Sequence, residues 1–510
     1  MKVIGIIAEY NPFHNGHAYQ ITEIRKRTGA DYIVVAMSGN FVQRGTPAII
    51  DKYTRTKMAL SCGADLILEL PVLWATASAE DFAMAGVTLF DKMGCVDSIC
   101  FGAETDNLAL LSSVADILAD EPANYKESLS SYIKEGMTFP AARAKALVDY
   151  LAITGRVDAF PEKESLISPE DLSSIINEPN NILAIEYLKA LKRRHSSVKP
   201  YLIKREGAGY HDENIYEGTL SQNITDVAVA SATAIRSLLL SPLKDTVAAS
   251  IPAKDSVTSD CTGSVSQAVS CAASELPALS TAMPDAARHL LFHYLQNSPA
   301  LCAEDFSQIL GYQLLTATPE SLALVCGCNE DIANRFYRNR QSFYSYERFI
   351  EQNKSKDVTY TRISRILLHL LLGISQEKLA TGKCLDYIPY LRILGFRKTS
   401  GSPSFLSSAT NCVKETVSSA TNCTKEVALS ATDYAPLLAA LKQNASVPVI
   451  SKLADAKNRL PAQAFSMLED DIFAADLYEQ IKFQKQQQNP LTYSKTAAAK
   501  NEYTRGLVFL

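Results

Sequence analysis

The 510-residue sequence lacks any apolar run long enough to cross a membrane as a helix. Its most apolar later stretch, Ile366–Ile374, spans nine residues and contains His369. A spanning helix takes about 20 apolar residues, so this stretch reads as a buried helix face. A secretory leader is not expected either. Met1 to Ala8 is mostly apolar, but Glu9, Asn11 and His14 follow at once, and no small-residue cleavage site appears. Nor is there a disulfide framework, since the 11 cysteines are odd in number and irregularly spaced. Cys326 and Cys328 form at most half a metal site, because no matching Cys or His pair lies near them and zinc takes about four ligands. Reduced thiols in a cytoplasmic protein without a structural metal are therefore expected. Excess charge is small: the net value is −5, with a pI near 5.9. The chain-wide sum gives no sign of a nucleic-acid partner. What is present is core material, with 47% hydrophobic and 21% charged residues, in a length that suggests roughly three domains.

From Met1 to about Leu240, short apolar runs alternate with helical patterns. Strands are expected at Lys2–Ala8, Asp31–Met37, Asp65–Leu70, Ser98–Phe101 and Pro200–Lys204. Helices are expected at Ala18–Arg27, Lys52–Cys62 and Ala79–Met93. Buried strands separated by helices imply an α/β, Rossmann-like, doubly wound parallel sheet with its ligand beyond the carboxyl ends of the strands. The expected domains are a catalytic nucleotide-binding unit at 1–240 and a Ser/Ala/Thr-rich linker or insertion at 241–284. An all-helical basic domain follows at 285–398, then an insertion at 399–433. A helical segment at 434–510 completes the helical domain. Within the second insertion, Ser407–Cys412 recurs as Ser418–Cys423, and two copies are too few for a solenoid.

The most informative residues run from Ile7 to His17. A strand leads into Asn11-Pro12, then His14-Asn15-Gly16-His17, then a helix from about Ala18. Free N–H groups and the positive end of a helix dipole at that point make an anion site. Gly16 lets a phosphate approach the backbone without a Cβ in the way. His14 and His17, three apart, point to one side of an incipient turn and can donate to phosphate oxygens as pyrophosphate leaves. Ser231-Ala232-Thr233-Ala234-Ile235-Arg236 opens a second helix (Ala234–Leu240), where hydroxyls and a guanidinium offer another jaw for a triphosphate.

A local basic excess underlies the acidic total. Residues 335–398 carry 13 Lys/Arg against 5 Asp/Glu, a balance of +8. Arg335, Arg338, Arg340 and Arg348 interleave with Phe336, Tyr337, Phe343, Tyr344 and Tyr346. That mixture suits phosphate contacts and base stacking in RNA. It also suits a solvated face over a helical core. Lys192, Arg193 and Arg194 are candidates to extend the track.

These features resemble the HxGH nucleotidyltransferase superfamily, whose second signature reads ISSTxIR; here Ala232 replaces a serine. Within it the chain more closely resembles the bacterial tRNA(Met) cytidine acetate ligases. Gly5–His17, Met37–Gly45, Gly63–Pro71, Phe101–Glu104, Pro179–Leu183, Lys204–Asp212, Tyr360–His369 and Leu391–Phe396 carry that likeness. It fails only in the two biased stretches. The resemblance implies that ATP and acetate form acetyl-adenylate with release of pyrophosphate. The acetyl group would then pass to the exocyclic amine of the wobble cytidine of elongator tRNA(Met), giving 4-acetylcytidine.

By position, the resemblance assigns ATP binding to Ile7, Ala8, Glu9, Tyr10, Asn11, Pro12, Phe13, His14, Asn15, Gly16, His17, Ala18, Tyr19 and Gln20, with Gly102, Asn181 and Arg205. His14 and His17 would be the catalytic pair. Mg2+ would accompany the triphosphate without a nameable protein ligand, and neither DNA nor a membrane is an expected partner. Gly102 would let adenine or ribose lie on the backbone. Asn181 is either a base or ribose contact or part of a helix cap. Ser38, Asn40, Gln43 and Arg44 either line an acetate or cytidine pocket or form turns. Two other functions fit part of the pattern: an adenylyltransferase acting on a small phosphorylated metabolite, and a non-catalytic nucleotide-sensing RNA-binding protein. The first leaves the +8 segment without a purpose, and the second leaves the histidine pair idle.

Overall fold

Apolar runs buried on both faces build the centre of the computed structural model. It describes residues 1–137, 139–154, 169–205, 231–249, 277–355, 358–397, 436–488 and 498–510. The strands are β1 (Val3–Ala8), β2 (Tyr32–Ser38), a short ribbon of β3 (Phe41–Val42) and β4 (Thr46–Pro47), β5 (Leu66–Leu70), β6 (Ser98–Ala103), β7 (Lys199–Lys204), β8 (Leu391–Phe396), β9 (Val449–Ile450) and β10 (Val508–Phe509). The main sheet runs β10-β8-β5-β2-β1-β6-β7, with β9 beside β8. All of its pairings are parallel except β5 with β8. The chain moves outward from β1 through β2 to β5, then returns to place β6 and β7 on the opposite side. The crevice beyond the carboxyl ends of β1 and β6 is thus the topological switch point, where such sheets take their ligands.

Alternate side chains of each strand enter opposite layers. Val3, Val34, Ala36 and Leu68 pack under the helices Ala79–Met93, Leu108–Asp120 and Pro179–Arg193. Ile4, Ile6, Ile33 and Val35 pack under Asn15–Thr28, Lys52–Ser61 and Asp285–Asn297. Close approach fixes β1 in place: a Cβ on Gly5 would fall 2.7 Å from the Phe90 ring, and one on Gly86 2.8 Å from Cγ1 of Ile7.

The expected strands and the α/β class are present, together with a helical region built largely from residues 303–384. Three expectations change. The segment 285–398 is not purely helical, because β8 lies in the sheet, buried along its whole length and antiparallel to β5. The C-terminal segment likewise returns β9 and β10 to the sheet, while its 26-residue helix Ala462–Gln487 braces the helical region. Finally, Asp285–Asn297 packs on Lys52–Ser61 and belongs to the catalytic layer. The helix expected at Ala234–Leu240 extends over Ala232–Ala249, inside the stretch read as linker. The insertion 399–433 and residues 206–212 lie outside the described residues.

Buried charge joins the returning strand to the rest. Lys52 Nζ lies 2.6 Å from Glu69 Oε1 and 2.5 Å from Glu502 Oε1. Arg392 of β8 reaches Glu69 Oε2 at 2.8 Å and Glu502 Oε1 at 2.5 Å. None of the four side chains is more than 5% exposed.

Candidate active site

The turn after β1 sets the site. Asn11 Oδ1 accepts from Ile49 N at 2.8 Å, and the Asn11 carbonyl accepts from Arg236 Nη1 at 2.7 Å. These bonds hold the chain as Tyr10 adopts a left-handed φ of 48° and the helix Asn15–Thr28 begins. His14 is the N-cap. Its Nδ1 accepts from Gly16 N at 3.1 Å, while His17 Nδ1 accepts from His14 N at 3.2 Å. The two rings stack with centroids 3.8 Å apart and 28° between planes. Phe13 and Tyr10 brace His17 at 5.4 and 4.7 Å.

Those backbone bonds decide the tautomers. A ring nitrogen that accepts a hydrogen bond carries no proton, so each neutral imidazole bears its N–H on Nε2. Burial, then the neighbouring Arg205 and Arg236, hold the His14 pKa down to about 3. Burial, then His14 and Arg205, lower that of His17 well below the usual range. Near neutral pH the pair is two uncharged Nε2–H donors at a helix N-terminus.

The cavity in front of them, about 230 Å³, lies at the switch point. Ile7, Ala8, Glu9, Tyr10, Asn11, His14, Gly16, His17, Tyr19, Gln20, Gly102 and Arg205 line it. Pro12, Phe13, Asn15, Ala18 and Asn181 are absent from its lining. Asn15 Nδ2 donates to Thr281 O at 2.6 Å. Asn181 is spent on structure: its Oδ1 accepts from Glu104 N at 2.9 Å, and its Nδ2 donates to Ile175 O at 2.8 Å. The cavity wall is formed by its neighbour Asn180, whose Oδ1 accepts from Arg205 Nη1 at 3.2 Å. Gly102 lies inside β6, and a Cβ there would stand 3.2 Å from Arg205 Cγ, so its bareness makes room for the arginine stem.

Serine and threonine of the second signature act as local supports. Ser231 Oγ accepts from Ala234 N at 3.0 Å, and Arg236 Nη2 donates to Thr233 Oγ1 at 2.9 Å. Gln43 and Arg44 reach the cavity from the β3–β4 ribbon, whereas Ser38 and Asn40 are buried behind it. Phe82 and Tyr187 also line the wall from two separate helices. No local motif marks them; only the packing of those helices at the crevice does. Arg44, Lys204, Arg205 and Arg236 bring positive charge, and Glu9 is the one carboxylate among the described lining residues.

The basic segment divides in two. Arg392, Arg397, Lys378 and Lys383 pair with Glu69, Asp65, Asp470 and Asp81, so a good part of the +8 is neutralised from elsewhere in the chain. Phe336, Tyr346 and Phe349 are core, and Arg335 donates to Asn353 O at 2.8 Å. What faces outward is Arg338, Tyr344 and Arg348, with Arg340 lying 3.4 Å over the Tyr337 ring. Lys192, Arg193 and Arg194 do not extend that track. They pair with Asp120, Glu80 and Asp91 at 2.7, 2.7 and 2.6 Å, which fastens their helix to its neighbours.

A parallel sheet that delivers a paired-histidine helix N-terminus to its switch point defines a nucleotidyltransferase. The family model described as HIGH Nucleotidyl Transferase matches residues 1–429. The tRNA(Met) cytidine acetate ligase of Acetivibrio thermocellus is 34% identical over 479 residues, covering 94% of each chain. That of Clostridium perfringens is also 34% identical, over 94% of this chain and 95% of its own. The apo crystal structure of Thermotoga maritima TmcAL superposes with TM-score 0.76 at 25% identity, covering 100% of both chains. A second form of it, bound with alpha-thio ATP, has the same fold, with TM-score 0.74 and 24% identity. The chain belongs to the tRNA(Met) cytidine acetate ligase family of HIGH nucleotidyl transferases. No helix among the described residues is long and apolar enough to span a membrane.

Proposed function

We propose that this chain activates acetate with ATP and ligates it to the wobble cytidine of elongator tRNA(Met) in the cytoplasm. The observation that carries the reading is the pair of outward Nε2–H groups on neutral, stacked imidazoles at a helix N-terminus, facing a cavity rimmed by Arg205 and Arg236. A triphosphate set there would meet donors fixed before it arrives. A carboxylate is a weak nucleophile, so the first step depends on alignment and on dispersing charge as pyrophosphate departs from the α-phosphorus. Losing one preorganised donor typically costs about 3 kcal/mol of barrier. Mg2+ would enter on the phosphates: among the described residues no group of His, Cys, Asp or Glu is arranged to hold a metal by itself.

The second step joins the cytidine amine to the acetyl carbon and releases AMP. A wobble base must leave its stack to reach such a cavity. The exposed Arg338 and Arg348, with Tyr344 and the half-exposed pair Arg340 and Tyr337, would grip the anticodon arm by phosphate contacts and stacking. Incubation of the protein with tRNA, ATP and labelled acetate, followed by nucleoside analysis, tests the whole reading. Label is expected in 4-acetylcytidine. Pyrophosphate exchange driven by a phosphate ester instead of acetate would favour a metabolite adenylyltransferase, and nucleotide binding without any exchange would favour a sensor.

A further inference from the structure

We infer that Glu9 is the residue that takes the proton from the cytidine amine during acyl transfer, a role that rests on the acetate-ligase reading. Glu9 follows β1 directly, yet its surroundings differ from those of the histidines five and eight positions on. His14, His17, Arg205 and Arg236 collect near the ends of β1, β6 and β7 and suit phosphate. The Glu9 carboxylate is held by the β3–β4 ribbon instead, where Oε1 accepts from Gln43 N at 2.9 Å. No other carboxylate lines the cavity among the described residues. A carboxylate gives a triphosphate no attraction, but it suits a substrate group that has a proton to lose.

Buried hydrogen bonds anchor the backbone around Glu9. Arg55, fully buried, donates from Nη1 to the Glu9 carbonyl at 2.6 Å and to Ser38 O at 3.0 Å, and from Nε to Ile50 O at 3.2 Å. The ribbon that holds the carboxylate is itself tied to the helical region, because Gly45 O accepts from Ser364 Oγ at 2.9 Å and from Tyr346 OH at 3.2 Å. A cytidine brought in by that region would come in beside the ribbon that holds Glu9.

The step balances. The cytidine nitrogen forms a bond to the acetyl carbon, and the bond from that carbon to the phosphate oxygen breaks, releasing AMP with the electron pair. The nitrogen gives up one proton, which passes to the Glu9 carboxylate and then to water. Aromatic amines hold their lone pair in the ring, so the attack gains from a base that removes the proton as the bond forms. General-base assistance of this kind is worth about 10²–10⁴ in rate.

E9Q and E9D in the full-length protein test the assignment through two separate measurements. Acetate-dependent pyrophosphate exchange reports adenylate formation, and single-turnover transfer from synthetic acetyl-adenylate to tRNA reports the second step. Glutamine keeps an oxygen for the Gln43 N–H and removes the base. The expected result for E9Q is transfer slowed about 100-fold or more, and about tenfold or more beyond any loss of exchange, and E9D should recover part of the transfer rate. Equal losses in both measurements, or undiminished transfer, would overturn the assignment. Wild-type protein without acetate-dependent exchange would instead remove the acetate-ligase reading, and the role of Glu9 with it.

Discussion

Replacing Gly45 with alanine should loosen the active site from the helical region without touching any residue of the cavity. Gly45 has φ 79°, a left-handed conformation that costs an L-residue roughly 1–2 kcal/mol. A Cβ there would fall 2.6 Å from the Ser364 carbonyl carbon and 2.7 Å from Arg365 Cα, and backbone cannot swing aside as a side chain can. The ribbon must therefore retreat. It then loses the bonds from Ser364 Oγ and from Tyr346 OH, which keeps Ser364 O as an acceptor at 3.0 Å; each is worth about 1 kcal/mol net, and more for the buried Ser364 hydroxyl left unpaired. The sum is a destabilisation of about 2–5 kcal/mol by urea unfolding, with transfer to tRNA slowed far more than acetate-dependent exchange. A double-mutant cycle with S364A sharpens the test, since Ser364 Oγ donates to Gly45 O. The alanine should cost about 1 kcal/mol alone and close to nothing beside G45A, since the bond it deletes is already broken. Additive effects, or a G45A protein with wild-type stability and transfer, would refute the clamp.

Three further outcomes are expected. H17N, which removes one Nε2–H donor, should lower acetate-dependent exchange about 10²–10³-fold while leaving urea stability nearly unchanged. Because the folded His14 pKa of about 3 lies below its unfolded value near 6.5, its contribution to stability is complete above pH 6.5. That contribution should be lost as acid is added from there down towards pH 3, by at most about 1.4 kcal/mol per pH unit; H14N should flatten that slope in urea titrations at fixed pH values. Alanine at Arg338, Arg340 and Arg348 should weaken tRNA in filter binding and lower its salt dependence by about two units, whereas the same change at Lys192, Arg193 and Arg194 should leave the salt slope as it was.

The histidine turn and strands β1, β2, β5, β6 and β7 were legible because each announces itself locally. Val3–Ala8 is apolar without alternation, and the histidines bracket a glycine just past its end. β8 was not: Leu391–Phe396 is mostly apolar but carries Arg392 at its second position. A six-residue buried run has no period to separate strand from helix, and the helical stretch preceding it tips the reading the wrong way. Asn181 shows the other limit. Its type and position suit a nucleotide contact, but whether an amide faces a ligand or a neighbouring backbone depends on Glu104, 77 residues away. Charge counting failed for a related reason. The +8 of residues 335–398 is a property of the chain, while the field outside the molecule depends on carboxylates such as Asp81 and Asp470 that fold back onto it.

The pairing of Lys52 and Arg392 with Glu69 and Glu502 places one corner of the catalytic sheet under the control of a residue far along the chain. In any chain that ends before Glu502, two cations sealed from water would share a single carboxylate, and removing one partner of such a group costs about 3–5 kcal/mol. Composition draws a boundary near residue 240, but electrostatics draws none. The catalytic half is therefore not a module that evolution could splice onto another partner domain, because its own neutrality is completed by Glu502.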